Sequence, residues 1–329
     1  MKTEESKSAS DDFDPSKWAK WAGAAICVLL FVLAIAKGAG LISVSIEQAL
    51  SALLILIGVA WAVKESEKLL RLSELYVWLA FILSLNHLQI LAQGLAGWMG
   101  LDDIDVYRVV AIVHVLVVVA ALWVLGAWSR QRDANSYPAR FAAGLFIVGA
   151  VVFWVGARTF PGMTLDKIQA NPAGHLWTSI NFLLATVITL AGLALFTLAL
   201  REAGDRFFSV LGLLAFMFGA VFWTLHLAFR LSVMVQAAQE WSRTSSPPPW
   251  FEPWREWAAL LFGIYSVLAY LGLAAYGGAL LKVGWLARWA GWTCVVAGLI
   301  AAPLGGLPLF IHVPLWLVGI LLLRQRRPA

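Results

Sequence analysis

Charge is what this chain has least of. Only 13% of its 329 residues are Asp, Glu, Lys or Arg, while 61% are hydrophobic and mean hydropathy is +0.81. A soluble globular chain is roughly a quarter charged, so this composition leaves the soluble class. Cysteine is nearly absent too. Cys27 and Cys294 both sit in apolar stretches and read as small buried hydrophobes, with no support for a disulfide scaffold or thiol chemistry. Carboxylates are missing from the middle of every apolar stretch, which weakens an ion- or proton-coupled carrier built on a buried Asp or Glu. There is no P-loop lysine motif, no G-x-S-x-G elbow and no H-E-x-x-H. The lack of C-x-x-C-H excludes the usual covalent haem attachment.

What remains is ten apolar stretches separated by short loops. About 20 apolar residues span the hydrocarbon core as a helix. Spans are expected near 19–37, 45–63, 73–94, 107–127, 141–159, 175–200, 207–232, 256–281, 284–303 and 307–323, the last containing Pro314, which favours a kink, a tilt or partial re-entry. The fold class is therefore all-α, a polytopic transmembrane helix bundle of about ten spans. The organisation expected is a disordered cytoplasmic leader over 1–17, a single transmembrane helical domain over 18–323 and a basic tail over 324–329. A cleaved signal peptide ending near Ala34-Ile35-Ala36 is the alternative for the first stretch, against which the long acidic leader argues.

Charge also orients the bundle. Of 24 Lys and Arg residues, 17 fall at the termini or in every second loop, among them Lys64, Lys68, Arg71, Arg130, Arg132, Arg140, Arg201, Arg206, Lys282, Arg288, Arg324, Arg326 and Arg327. Positive loops stay cytoplasmic, which predicts both termini inside a bacterial-type inner membrane. The net charge of +5 and pI of 9.3 are orientation chemistry rather than a nucleic-acid stripe, because the basic residues are dispersed. Trp18, Trp21, Trp98, Trp128, Trp241, Trp250, Trp254 and Trp257, drawn from 18 tryptophans, lie near span ends as an interfacial belt. The bilayer is the partner that composition implies; protein partners or a homo-oligomer are unreadable.

Two strings stand out. Gly149-Ala150-Val151-Val152-Phe153-Trp154 resembles Gly219-Ala220-Val221-Phe222-Trp223, and an arginine follows each, Arg158 and Arg230. This fits either a parallel repeat of helix hairpins or convergent small-residue packing. The second string runs Gly277-Gly278-Ala279-Leu280-Leu281-Lys282-Val283-Gly284-Trp285-Leu286-Ala287-Arg288-Trp289-Ala290-Gly291-Trp292. It resembles a late cytoplasmic turn, G-x-L-x-R-W-x-G-W, of an uncharacterised group of bacterial multi-pass membrane proteins. The resemblance covers about a third of the chain and implies architecture only, since the group has no assigned activity.

The remaining signal is a polar layer. His87, His114, His226 and His312 each fall roughly 7–10 Å beneath the expected outer boundary, with Asn86, Asn181 and Thr224 in the same layer and His175 at its rim. Imidazole ligates haem iron and transition metals. The layer therefore points to b-type haem or a transition metal held by some of these histidines, with Arg230 or Arg158 receiving propionates, in a redox, electron-transfer or sensing role. A small-solute carrier or channel lined by Asn86, Asn181 and Thr224 is the alternative, and a non-catalytic membrane subunit or scaffold is a third. Plain interhelical polar contacts would produce such a layer as well. Ser242–Trp250, with its three consecutive prolines, reads as an extended outer connector.

Overall fold

The computed structural model describes residues 104–132, 137–158, 160–303 and 309–324, with isolated positions 29, 50, 78, 81 and 82. The leader, most of the first three expected spans, Asn86, His87 and Cys27 lie outside the described residues. The chain divides into two compact units, Met1–Gly94 and Leu95–Ala329. In the first, Trp78 packs edge-on against Phe81, ring centroids 6.3 Å apart.

All described secondary structure in the second unit is helical: α1 Ile104–Arg132, α2 Tyr137–Arg158, α3 Leu165–Ala170, α4 Pro172–Glu202, α5 Phe208–Leu231, α6 Val233–Thr244, α7 Phe251–Val283, α8 Arg288–Ala301 and α9 Leu309–Arg324. Each expected span from 107 onward coincides with one of these. Five runs are long and apolar enough to cross a membrane, namely α1, α2, α4, α7 and the run from Phe208 through Thr244; α8 and α9 are shorter apolar helices. With no water in the hydrocarbon core, a helix satisfies its own backbone, which is why apolar runs take this form. Burial sorts them. Of the apolar window of α1, 28% is buried, against 72% for α2. Val109, Ile112, Leu116 and Trp123 of α1 are exposed, a surface that lipid solvates and water would not.

Local signals set the helix ends. The Asn171 side chain accepts from Gly174 N–H at 2.8 Å, and Pro172 occupies the first turn of α4. Gly284 ends α7 in the left-handed conformation, φ 71°, that a residue without Cβ adopts at little cost. Two elements differ from expectation. The connectors from α2 to α4 and from α5 to α7 hold short helices, α3 and α6, that join over Leu165, Ile168, Met234, Ala237 and Ala238. Ser242–Thr244 thus belongs to a helix, and the connector closes in a turn over Pro248–Phe251, with Phe251 N–H on Pro248 C=O at 2.9 Å. α9 continues through Pro314.

The repeat suggested by the glycine strings extends through two whole hairpins. α2–α3–α4 and α5–α6–α7 each run long helix, short helix, long helix, and within each the two long helices pack most extensively on one another. A Cβ at Gly192 of α4 would meet the Phe146 ring of α2 at 3.0 Å, and one at Gly272 of α7 would meet the Phe216 ring of α5 at 2.7 Å. Gly149 abuts Ala185 C=O and Ile188 as Gly219 abuts Tyr265 C=O and Leu268. In this register Gly192-Leu193-Ala194-Leu195-Phe196 matches Gly272-Leu273-Ala274-Ala275-Tyr276, and the counterparts Phe196 and Tyr276 stack at 5.9 Å. The counterpart of Arg230 is Phe160, while Arg158 falls opposite Ala228. α4 joins the hairpins through α5; α7 then packs on α8, and α9 covers α2.

Candidate functional site

The helices bring the layer together around an aromatic cluster near the end that α3 and α6 cover. Phe182 of α4 is its centre. It stacks on Phe153 of α2 at 4.6 Å and tilts against Trp223 of α5 at 5.9 Å, and the Arg230 guanidinium lies over its ring at 5.5 Å. The histidines stand around this cluster rather than facing one another. His312 lies on Phe153 at 4.4 Å, His226 stacks on Trp223 at 5.3 Å, and His114 meets Trp177 edge-on at 5.8 Å. All three are buried, as is His175.

Hydrogen bonds separate these side chains by role. His175 Nε2–H donates to Arg230 C=O at 2.9 Å, and His226 Nδ1–H donates to Ala258 C=O at 2.9 Å, each tying the entry of one long helix to the exit of another. A carbonyl only accepts, so the bond fixes which ring nitrogen carries the proton. Thr178 Oγ1 donates to Gly156 C=O at 3.1 Å. Gly156 and Thr178 are the register counterparts of His226 and Ala258, so each hairpin is latched at the same level. His114 Nδ1, His175 Nδ1 and His312 Nδ1 have no hydrogen-bond partner among the described residues.

The carrier residues of the sequence reading scatter. Asn181 is buried and its amide donates to Trp177 C=O, one turn back. Thr224 faces outward beside Val221 and Leu225, with its hydroxyl on Ala220 C=O. Arg158 closes α2, and its side chain lies outside the described residues, as do Asn86 and His87.

Sequence reasoning missed a crevice. Thr186, Thr189 and Leu190 of α4, Phe216 and Ala220 of α5, Tyr265 of α7, and Ile311 and His312 of α9 line a small crevice of about 10 Å³. That is room for roughly one water molecule. Thr189 Oγ1 and His312 Nδ1 are both buried and have no hydrogen-bond partner among the described residues. The register repeat was the available signal, because it brings α4, α5 and α7 to one junction. Among the described residues, no group of three or more His, Cys, Asp and Glu could hold a metal ion.

Arg230 is the other outlier. It is 3% exposed, its guanidinium sits over Phe160 at 5.0 Å as well as Phe182, and Nε and Nη2 have no hydrogen-bond partner among the described residues.

Comparison with protein-family models, with curated proteins and with solved structures returns no match.

Proposed function

We propose that this integral membrane protein is a carrier for a small solute, with its path running through the junction of the two hairpins. The observation that carries the reading is the crevice between α4, α5, α7 and α9, lined by Thr189 and His312, whose buried Oγ1 and Nδ1 have no hydrogen-bond partner among the described residues. Buried polar atoms without partners cost about 1–3 kcal/mol each, which makes them functional candidates rather than packing. The hairpin duplication adds support, since carrier folds are commonly built from repeats with the binding site at their interface. The path is lined by Thr186, Thr189 and His312 in place of Asn181 and Thr224.

The test is cysteine accessibility. In a chain with Cys27 and Cys294 replaced by Ala, Thr186→Cys and Thr189→Cys should react with a water-soluble maleimide in membrane vesicles. The exposed Val187→Cys, on the lipid-facing side of the same helix, should not. No labelling at either threonine position overturns the carrier.

A second reading has its own observation. His226 donates Nδ1–H to a backbone carbonyl, which leaves the Nε2 lone pair free, the usual arrangement of a metal-ligating histidine. b-type haem there would find a propionate partner in Arg230, one turn along α5. The crevice beside His312, with room for about one water, does not fit a macrocycle, so His226 is the ligand to examine. Sharpened α and β bands on dithionite reduction of the purified protein would support this reading, and a featureless spectrum would remove it.

A further inference from the structure

We infer that Arg230 is the binding site for the acidic group of the ligand, and that this ligand carries a single carboxylate or phosphate on an apolar body. The inference rests on the carrier reading and names its substrate class.

The argument begins with the guanidinium. Nε–H and Nη2–H lie on one edge of its plane, side by side, the pair that grips two oxygens of a carboxylate or phosphate. These two are the donors that have no partner among the described residues. The ion pairs among those residues, Arg255–Glu252 and Lys282–Asp205, involve other side chains, and no described carboxylate pairs with Arg230. An arginine that only held helices together would be paired, because an isolated buried charge is among the most expensive features of a membrane helix.

The surroundings then hold the fork ready. Phe160 and Phe182 stand against the guanidinium at 5.0 and 5.5 Å, where the ring faces attract a cation without using its N–H groups. His175 pins the Arg230 main chain through its carbonyl. Register adds a contrast. Phe160 is the counterpart of Arg230, so the duplicated hairpins place one cation against one ring, and the site takes one negative charge rather than two.

Specificity for the rest of the ligand follows from the walls. Phe160, Phe182, Phe153 and Trp223 present rings, and no described side chain beside Arg230 supplies a second cation. Phe182 lies one turn before Thr186 on α4, about 6 Å along the axis, so the acidic group held by Arg230 sits about one helical turn from the crevice. The acidic group comes either from a soluble organic acid or from an anionic lipid headgroup.

The full chain is purified into nanodiscs of phosphatidylcholine, and thermal unfolding is followed with sodium hexanoate, inorganic phosphate or hexylamine. A parallel set uses phosphatidylglycerol nanodiscs without added acid. A rise in midpoint with hexanoate but not hexylamine identifies a soluble acid, and a rise in phosphatidylglycerol alone identifies the lipid; either supports the site. Arg230→Lys keeps the charge but loses the fork, and should weaken the response about tenfold or more. Arg230→Gln should abolish it, while Arg255→Ala, at an exposed and locally paired position, should respond as wild type. If wild type responds to neither acid nor lipid, or Arg230→Lys responds unchanged, the assignment is overturned. The wild-type arm decides even where a variant does not fold. Binding of hexanoate with no maleimide reaction at the threonine positions upholds this site and removes the carrier. Maleimide reaction with no acid or lipid response removes this site alone.

Discussion

At the scale of single residues, polar groups in this protein are either fully engaged or conspicuously free. Asp205 is the engaged case. It lies in the loop between α4 and α5 with its side chain fully buried, accepts from Ser209 N–H at 2.7 Å and Phe208 N–H at 3.4 Å, and has Lys282 Nζ at 3.5 Å. Burial pushes its carboxyl up, but the hydrogen bonds from the first turn of α5 together outweigh burial and hold it below the ordinary value of 3.8. Lys282 is half-exposed, so the ion pair adds little. Asp205→Ala should lower stability by about 1–2 kcal/mol, the worth of a helix cap. A depressed folded-state value means that the carboxylate stabilises above its unfolded value and loses that contribution as pH falls through the folded one. The difference in unfolding midpoint between wild type and Asp205→Ala should therefore persist at neutral pH and shrink below about pH 4. A difference that stays constant with pH would contradict the charged cap. Arg230 is the opposite case, because Phe160 and Phe182 lie against its guanidinium and its Nε and Nη2 have no hydrogen-bond partner among the described residues.

At the scale of elements, the glycines decide how closely helices approach. A Cβ at Gly298 of α8 would collide with Tyr270 C=O of α7 and meet Ala274 N at 2.8 Å. One at Gly277 of α7 would meet Gly291 C=O at 2.7 Å. Backbone cannot yield as a flexible side chain can, so Gly298→Ala should destabilise by about 1–3 kcal/mol through overpacking. Gly263, in the interior of α7, has nothing within 4 Å of a Cβ position. Gly263→Ala should leave stability unchanged or raise it by up to about 1 kcal/mol, because alanine is the better helix former. Thermal unfolding of the two variants in one detergent compares them, and equal effects would argue against the α7–α8 contact. Within the string Gly277–Trp292, then, Gly284 makes the turn while Gly277 and Gly291 make the helix contact. The string alone predicts glycine but does not say which glycine does which.

At the scale of the whole molecule, the described helices form a succession in which α2 packs on α4, α4 on α5, α5 on α7, α7 on α8, and α9 on α2. The described part is an all-helical membrane protein, and from residue 107 onward the helices fall where the hydropathy placed them. That agreement has a simple cause. Hydrocarbon length and backbone satisfaction both act on contiguous sequence, so the helices were legible without tertiary contacts. α3 and α6 were not legible, because α3 is only six residues long and α6 lies among polar residues that read as loop; they become helices by burying Ile168, Met234 and Ala238 against each other. The histidine layer was read from position along the helices, which carries no direction. His114, His226 and His312 are buried as the layer implied, yet each meets its own aromatic ring.

Sequence by itself determined the class of fold, the long helices of the described region and the rarity of charge that makes Arg230 conspicuous, because each depends on local composition and spacing. Only the tertiary structure decided that Thr186 and Thr189 share a crevice with His312, that Gly149 and Gly192 of one hairpin take the packing positions of Gly219 and Gly272 in the other, and that Arg230 lies against two rings with Nε and Nη2 unbonded among the described residues. Those facts depend on which face each helix turns to its neighbours. In a helix that is apolar all round, that choice is set by glycine gaps and ring stacking between distant segments, which no window of sequence contains.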